Sequence, residues 1–210
     1  MRVYHFLATD NALDDLKNRR VKLSKIDDLN DPFELSCMAQ RDRRVRKALR
    51  RFRTKMAQHY GMLCFSKNWH NTVLWSHYAT KHRGVCLGFD VDDQYLRPVS
   101  YVAERPDLQI PPTEETAQHL LFTKYCDWSY EEEVRGWFRL ETRDPSTGFY
   151  FYNFDEKVQL SEIIAGPLCD TSRTDIDAAL EGNQGHIRVI KARLAFNTFR
   201  VVENRQGFRR

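Results

Sequence analysis

No stretch of this 210-residue chain approaches the roughly 18 consecutive apolar residues that a membrane-spanning helix requires, so no membrane role is expected. The opening Met1-Arg2-Val3-Tyr4-His5-Phe6 lacks the apolar core of a secretory signal. Cysteine is sparse: Cys37, Cys64, Cys86, Cys126 and Cys169 are widely scattered, odd in number, and form no C-x-x-C pair. That pattern argues against a disulfide framework and a structural zinc site, and it predicts a reducing cytoplasm. No internal repeat and no low-complexity linker is present. With 41% apolar and 30% charged residues, the chain reads as a globular protein whose residues 1–210 form one domain, with room for a small insertion.

Acidic residues are nearly missing from one window. Residues 41–55 hold Arg41, Arg43, Arg44, Arg46, Lys47, Arg50, Arg51, Arg53 and Lys55 against Asp42 alone, a charge of +8. The whole chain is +4, so the remainder is −4: a mildly acidic body with one basic segment. Val45, Leu49, Phe52 and Met56 recur there at helical spacing, which predicts an amphipathic helix over 41–58 with a narrow apolar stripe and a cationic surface. Acidic i,i+4 partners are scarce, so the cations are not paired within the helix. The segment is either a solvated face or, as we favour, a docking surface for phosphate backbone through Arg43, Arg46, Lys47, Arg50 and Arg53; a protein or membrane-surface partner is the alternative.

Elsewhere the pattern predicts many short strands and a few helices, an α+β domain. Strands are expected over 2–7, 21–23, 62–66, 84–90, 99–102, 149–153, 187–194 and 198–202. Ile163-Ile164-Ala165 reads as the end of another, leading into the Gly166-Pro167 turn. Helices are expected over 12–17, over 72–79 with Asn71 or Thr72 as cap, from Thr113 to about Tyr125, and from Thr171 or Ser172 to Leu180, with Gly182 as stop. Asn30-Asp31-Pro32 signals a turn anchored by Phe33. Pro98, Pro106, Pro111 and Pro112 interrupt the middle of the chain.

The segment Trp128-Ser129-Tyr130-Glu131-Glu132-Glu133-Val134-Arg135 reads as a strand, with a partner strand over Trp137–Leu140. Alternation then sets Glu131, Glu133 and Arg135 on one face. Two like charges about 7 Å apart repel and need an offset. Either Arg135 screens an exposed edge, or a ligand or chemistry uses the pair. A second cluster, Leu74-Trp75-Ser76-His77-Tyr78-Ala79-Thr80-Lys81-His82-Arg83-Gly84, gathers rings that can stack on a flat ligand, or that simply pack a core. His77 and His82 are five apart, the wrong spacing for two ligands on one helical face, and no metal is expected. His5, alone between aromatics, reads as structural on its own.

Taken together, Leu29-Asn30-Asp31-Pro32-Phe33-Glu34, Cys64-Phe65-Ser66, Leu74-Trp75-Ser76-His77-Tyr78-Ala79 with His82-Arg83-Gly84-Val85, Gly88-Phe89-Asp90, and Trp128 through Arg135 resemble the domain-of-unknown-function 2971 family of bacterial proteins. The motifs follow that family's order and span most of the chain. Tyr4-His5-Phe6, a helix with Leu13 and Leu16, and Val21-Lys22-Leu23-Ser24 resemble the opening of DarT-like ADP-ribosyltransferase toxins. That second resemblance implies an ADP-ribosyltransferase-like split β-sandwich and a bacterial toxin or anti-phage effector that modifies nucleic acid. It also implies NAD as substrate, no metal, and a possible neutralising partner protein. On this chain it implies catalytic Glu133 and Glu131. His5, Ser66, Trp75, His77, Tyr78, Asn30 and Arg135 would bind NAD.

Scission of the nicotinamide–ribose bond passes through an oxocarbenium-like state, which a carboxylate near the ribose stabilises. Glu133 is expected in that role, Glu131 in orienting or deprotonating the acceptor, and Arg135 or another cation at the pyrophosphate. The alternatives are a nuclease using His77, His82 and Arg83, and a non-catalytic nucleic-acid- or protein-binding module.

Overall fold

A computed structural model of the chain describes residues 1–107, 114–182 and 185–208. The elements follow in the order β1 (Arg2–Leu7), α1 (Thr9–Lys17), β2 (Arg20–Lys22), α2 (Arg43–His59), β3 (Tyr60–Ser66), α3 (Thr72–Tyr78), β4 (Val85–Val91), β5 (Arg97–Pro98), β6 (Ser100–Val102), α4 (Glu114–Leu121), β7 (Thr123–Tyr125), β8 (Glu133–Arg139), β9 (Phe151–Asn153), β10 (Val158–Ala165), α5 (Arg173–Ala179), β11 (Arg188–Leu194) and β12 (Val201–Glu203). The protein is mixed α+β, and the chain divides into two compact, interleaved units.

The first unit comprises Met1–Val21, Phe65–Tyr95 and Tyr152–Arg210. Its sheet is large and mostly antiparallel. The order is β12-β11-β10-β4-β1, with the end of β3 beside β1 through the Tyr4–Ser66 pair. Among the described residues of this sheet, β10 and β11 are the pair that runs parallel. The apolar, glycine-bounded run expected at 84–90 is β4, buried almost throughout because β1 and β10 flank it. Phe65, Phe89 and Phe154 meet edge to face at 5.8 and 5.3 Å, and Phe6 meets Trp75 at 5.2 Å. Ser172 caps α5 in a reciprocal capping box with Asp175, and Gly182 follows at a φ of +80°.

After α3 the backbone takes an unusual course. Thr80, Lys81 and His82 are consecutive non-glycine residues in the left-handed region, at φ values of 47°, 53° and 71°. Each costs roughly 1–2 kcal/mol relative to the right-handed form. The turn brings the chain back so that Gly84 lies against β1. A Cβ there would stand 2.0 Å from the Leu7 carbonyl oxygen.

The second unit comprises Lys22–Cys64 and Leu96–Phe151. Here β3 neighbours β8, which pairs antiparallel with β5, while β6 and β7 pair parallel. Its core contains Ile26, Leu35, Met38, Val45, Leu49, Met62 and Leu120. The expected stripe of α2 faces this core: Val45 and Leu49 are buried, and Phe52 and Met56 pack against the cluster. Asp42, the window's lone acid, is the N-cap; its carboxylate accepts the Arg44 amide at 2.6 Å.

Three expectations are corrected. Residues 128–135 are not one strand: Cys126–Glu131 winds into a 3-10 turn, Glu132 takes the left-handed conformation at φ 46° and ψ 46°, and β8 begins at Glu133. The strand then runs through Arg139, taking in most of what was expected as a separate partner. Residues 123–125 are a strand, not the end of a helix. Their β-branched and aromatic side chains suit the pairing with β6, and α4 stops at Leu121. Phe33 is half exposed with the Arg105 guanidinium over its ring, and Leu35 is the residue buried beneath the turn. The expected cap Thr113, with Pro111 and Pro112, lies outside the described residues.

Gly84→Ala is expected to destabilise the protein by about 3 kcal/mol, because the only relief for the added methyl is backbone movement. Chemical denaturation of the variant measures this.

Candidate functional site

The sequence sites divide between the units. In the first, His5 projects from β1 half-buried, its ring edge-on to Phe65 at 5.9 Å. Ser66 is buried, and its hydroxyl donates to the Asn68 carbonyl at 3.1 Å while accepting the Asn68 amide at 3.0 Å. Trp75 is fully buried and donates its indole N–H to the Trp69 carbonyl at 2.6 Å. Its ring is core, so His77 and Tyr78, which meet edge to face at 6.0 Å, are the rings α3 leaves accessible. His82 sits in the left-handed turn with a buried Nδ1 that has no hydrogen-bond partner, and burial lowers its pKa.

In the second unit Asn30 is exposed on the turn that delivers Glu34. Asp31, itself buried, accepts the Phe33 amide at 2.9 Å and sharpens that turn. Glu131, Glu133 and Arg135 come together here with Glu34 and Lys124, all nearly inaccessible to solvent. Arg135 grips both Glu34 and Glu133 through paired contacts, at 2.5 and 2.9 Å to the first and 2.7 and 3.0 Å to the second. It also donates to the Leu121 carbonyl at 2.8 Å, where α4 ends. Lys124 from β7 reaches Glu131 at 2.6 Å, Glu133 at 3.1 Å and Glu34 at 3.8 Å, and lies 4.9 Å from the centre of the Trp128 ring.

The break at Glu132 makes this possible. In an unbroken strand Glu131 and Glu133 would project in parallel from one face. With Glu131 closing a turn and Glu133 opening β8, both carboxylates reach the Lys124 ammonium. The Glu133 amide donates to the Tyr101 hydroxyl at 2.9 Å, which fixes the start of β8.

Three carboxylates face two cations, so the cluster carries a surplus negative charge. The surplus separates the acids. Burial pushes the Glu133 carboxyl up, but Arg135 and Lys124 more than offset it and hold it down to about 2. For Glu34 burial outweighs the pull of Arg135, Glu133 adds like charge, and its pKa is raised. Burial, with Glu133 beside it, raises the Cys64 thiol.

A hollow of about 260 Å³ adjoins the cluster, lined by Asp31, Phe33, Arg105, Lys124 and Tyr125 among others. It is smaller than the roughly 300–1,000 Å³ of most small-molecule clefts. Its lining sets the rings of Phe33 and Tyr125 among the cations Arg105 and Lys124 and the acids Asp31 and Glu104. A larger space, about 710 Å³, lies between the long side chains of Arg43, Arg46, Lys47, Arg50, Arg51 and Lys55 on α2. Two cations of the basic window have an acidic partner on the described residues: Arg44 with Asp42 at 3.1 Å, and Arg53 with Asp27 at 3.4 Å.

None of the family models, curated proteins or solved structures compared with the chain matches it. Among the described residues no group of three or more His, Cys, Asp or Glu side chains could hold a metal, and no helix is long and apolar enough to cross a membrane.

Sequence reasoning missed Glu34 and Lys124 as members of the cluster. The available signal was charge balance, since a glutamate run that folds inward needs more than one cation.

Arg135→Met leaves buried carboxylates without their main partner and is expected to cost about 3–5 kcal/mol, whereas Glu34→Gln removes the surplus charge and costs less. Urea titrations of both variants decide the order. Acid titration carries a second expectation. The folded-state pKa of Glu133, about 2, lies below its ordinary value of 4.5, so its contribution is complete above 4.5 and is lost as pH falls toward 2. The raised Glu34 acts oppositely, favouring the folded state as pH falls toward 4.5. Unfolding free energy measured against pH should therefore fall less steeply below 4.5 in Glu133→Gln than in the wild type.

Proposed function

We propose that this protein is an ADP-ribosyltransferase-like enzyme acting on nucleic acid, with α2 engaging the polyanion. The observation that carries the nucleic-acid assignment is the exposed face of α2. Arg43, Lys47, Arg50 and Arg51 line one continuous cationic surface on a capped helix whose other side packs into the core. Such a face attracts phosphate by releasing condensed counterions, whatever the sequence of the polymer.

The catalytic half of the proposal rests on the resemblances in the sequence and on the state of the carboxylates. Glu133 is held ionised, and Glu131 lies beside it on the same ammonium. A fixed negative charge is what an oxocarbenium-like ribose needs, and Glu131 is the acid to orient the acceptor. NAD supplies the ADP-ribosyl group when bound. Asn30, exposed on the turn that precedes Glu34 in the same unit, remains a candidate contact for it. A split β-sandwich of this enzyme class is the fold that the reading implies.

One observation favours a second reading, a nucleic-acid-binding module without catalysis. Arg135 is committed to two carboxylates and a carbonyl, and Trp75 is core. These are the marks of a structural lock.

Incubation with labelled NAD and mixed DNA, RNA and protein separates the readings. The enzyme transfers label to nucleic acid, and Glu131→Gln and Glu133→Gln abolish transfer in folded samples. The module shows no transfer and binds polyanion unchanged in both variants. In either case R43Q/K47Q/R50Q/R51Q should weaken nucleic-acid binding and make its logarithmic salt dependence shallower by about four charges.

A further inference from the structure

In the first unit, β11 and β12 form a hairpin whose tip displays two aromatic rings to solvent. Phe196 is 87% exposed and Phe199 98% exposed, and Leu194 beside them is 51% exposed. Rings so open have no part in the core, and two of them within one four-residue loop make the tip a candidate contact surface. The tip is also well held. The Ala195 amide donates to the Arg200 carbonyl at 2.9 Å and closes a loop of only four residues, Phe196-Asn197-Thr198-Phe199. The Val201 amide donates to the His70 carbonyl at 2.9 Å, the His70 imidazole Nδ1 lies 2.7 Å from the Val201 carbonyl, and Asn71 bridges to Arg200. The rings are thus presented on a fixed base.

Charge narrows the partner. Residues 193–202 include Arg193 and Arg200 and no acid, and the next acid, Glu203, is paired with Arg188 at 2.6 Å. The Arg193 guanidinium already lies 4.4 Å over the Phe196 ring. Flat rings interleaved with arginines suit bases joined by phosphates: the rings stack on base faces and the guanidinium groups meet the backbone. A membrane-inserting tip would place its most apolar residues at the summit, but here the summit is Asn197-Thr198, with the rings on either side.

We infer that the hairpin tip is a stacking platform for the unpaired bases of single-stranded nucleic acid, with Phe196 and Phe199 taking the bases and Arg193 and Arg200 the phosphates. This deepens the nucleic-acid reading above and rests on it. It gives the protein a preference for unpaired strands that the cationic face of α2 alone cannot supply, since phosphate attraction is common to both forms.

The test is fluorescence anisotropy on the full chain with a labelled mixed-sequence DNA single strand and with the duplex of the same sequence. F196A/F199A should lower single-strand affinity by roughly tenfold per ring and leave duplex affinity within about twofold. F196W/F199W should retain binding, and F196L/F199L should not. Thermal unfolding of all three variants should match the wild type, because the rings are outside the core. Unchanged single-strand affinity in F196A/F199A overturns the inference, and so does retention in F196L/F199L, which means apolar docking without stacking. Ring-dependent sedimentation with anionic vesicles, or a ring-dependent oligomer, overturns it too when single-strand affinity is unchanged. If the wild type binds DNA, loses it in R43Q/K47Q/R50Q/R51Q and keeps it in F196A/F199A, only this inference fails. If the wild type binds neither DNA form, the nucleic-acid reading fails with it.

Discussion

The second unit is organised around one guanidinium. Arg135 stands at the start of β8 and ties together the turn that carries Glu34, the end of α4 through the Leu121 carbonyl, and the first residue of its own strand. The ties to Glu34 and Glu133 are charge-assisted hydrogen bonds removed from solvent, so each is stronger than its surface equivalent and more costly if left incomplete. A buried ion group of this kind contributes little net stability compared with a well-packed apolar core. What it does is discriminate: a misplaced turn or a slipped strand would strand a charge in the interior. Lys124 extends the same discrimination to β7.

The surplus carboxylate gives that arrangement a chemical consequence. A charge-balanced cluster would be inert to its surroundings. With three acids on two cations, the group has a standing affinity for one more positive charge, which a proton on Glu34 supplies. The basic helix α2 belongs to the same unit and carries the opposite sign on its outer face, so charge is segregated here by depth. Interior acid is shielded by protein, and exterior base projects a field that salt attenuates.

The parts legible in the sequence were those governed by periodicity. The α2 stripe repeats at 3.6 residues and needs no partner to be recognised, and β4 is a short apolar run bounded by glycines. Ser172 and Gly182 carry their own local chemistry. The illegible parts depended on distant partners. Lys124 in Thr123-Lys124-Tyr125 looks like an ordinary surface lysine until Glu131 and Glu133 are seen around it. Three glutamates in a row conceal the left-handed break at Glu132, because no glycine or asparagine marks it. The same holds for Thr80-Lys81-His82. Trp75 shows the limit of composition: an indole among histidines reads equally as a ligand platform or as core, and only its burial against Phe6 and Trp69 decides where it lies.

The way the chain is divided bears on its birth at the ribosome. The first unit is assembled from three separate stretches and the second from two, so neither can be excised as a single continuous fragment. During synthesis the second unit has all its residues once Phe151 has emerged. The first still waits for β10, β11 and β12, and until they arrive β4 has a bare edge where β10 will pair. An open strand edge on a nascent chain invites wrong pairing. Closure of the first unit's sheet therefore waits on Tyr152–Arg210.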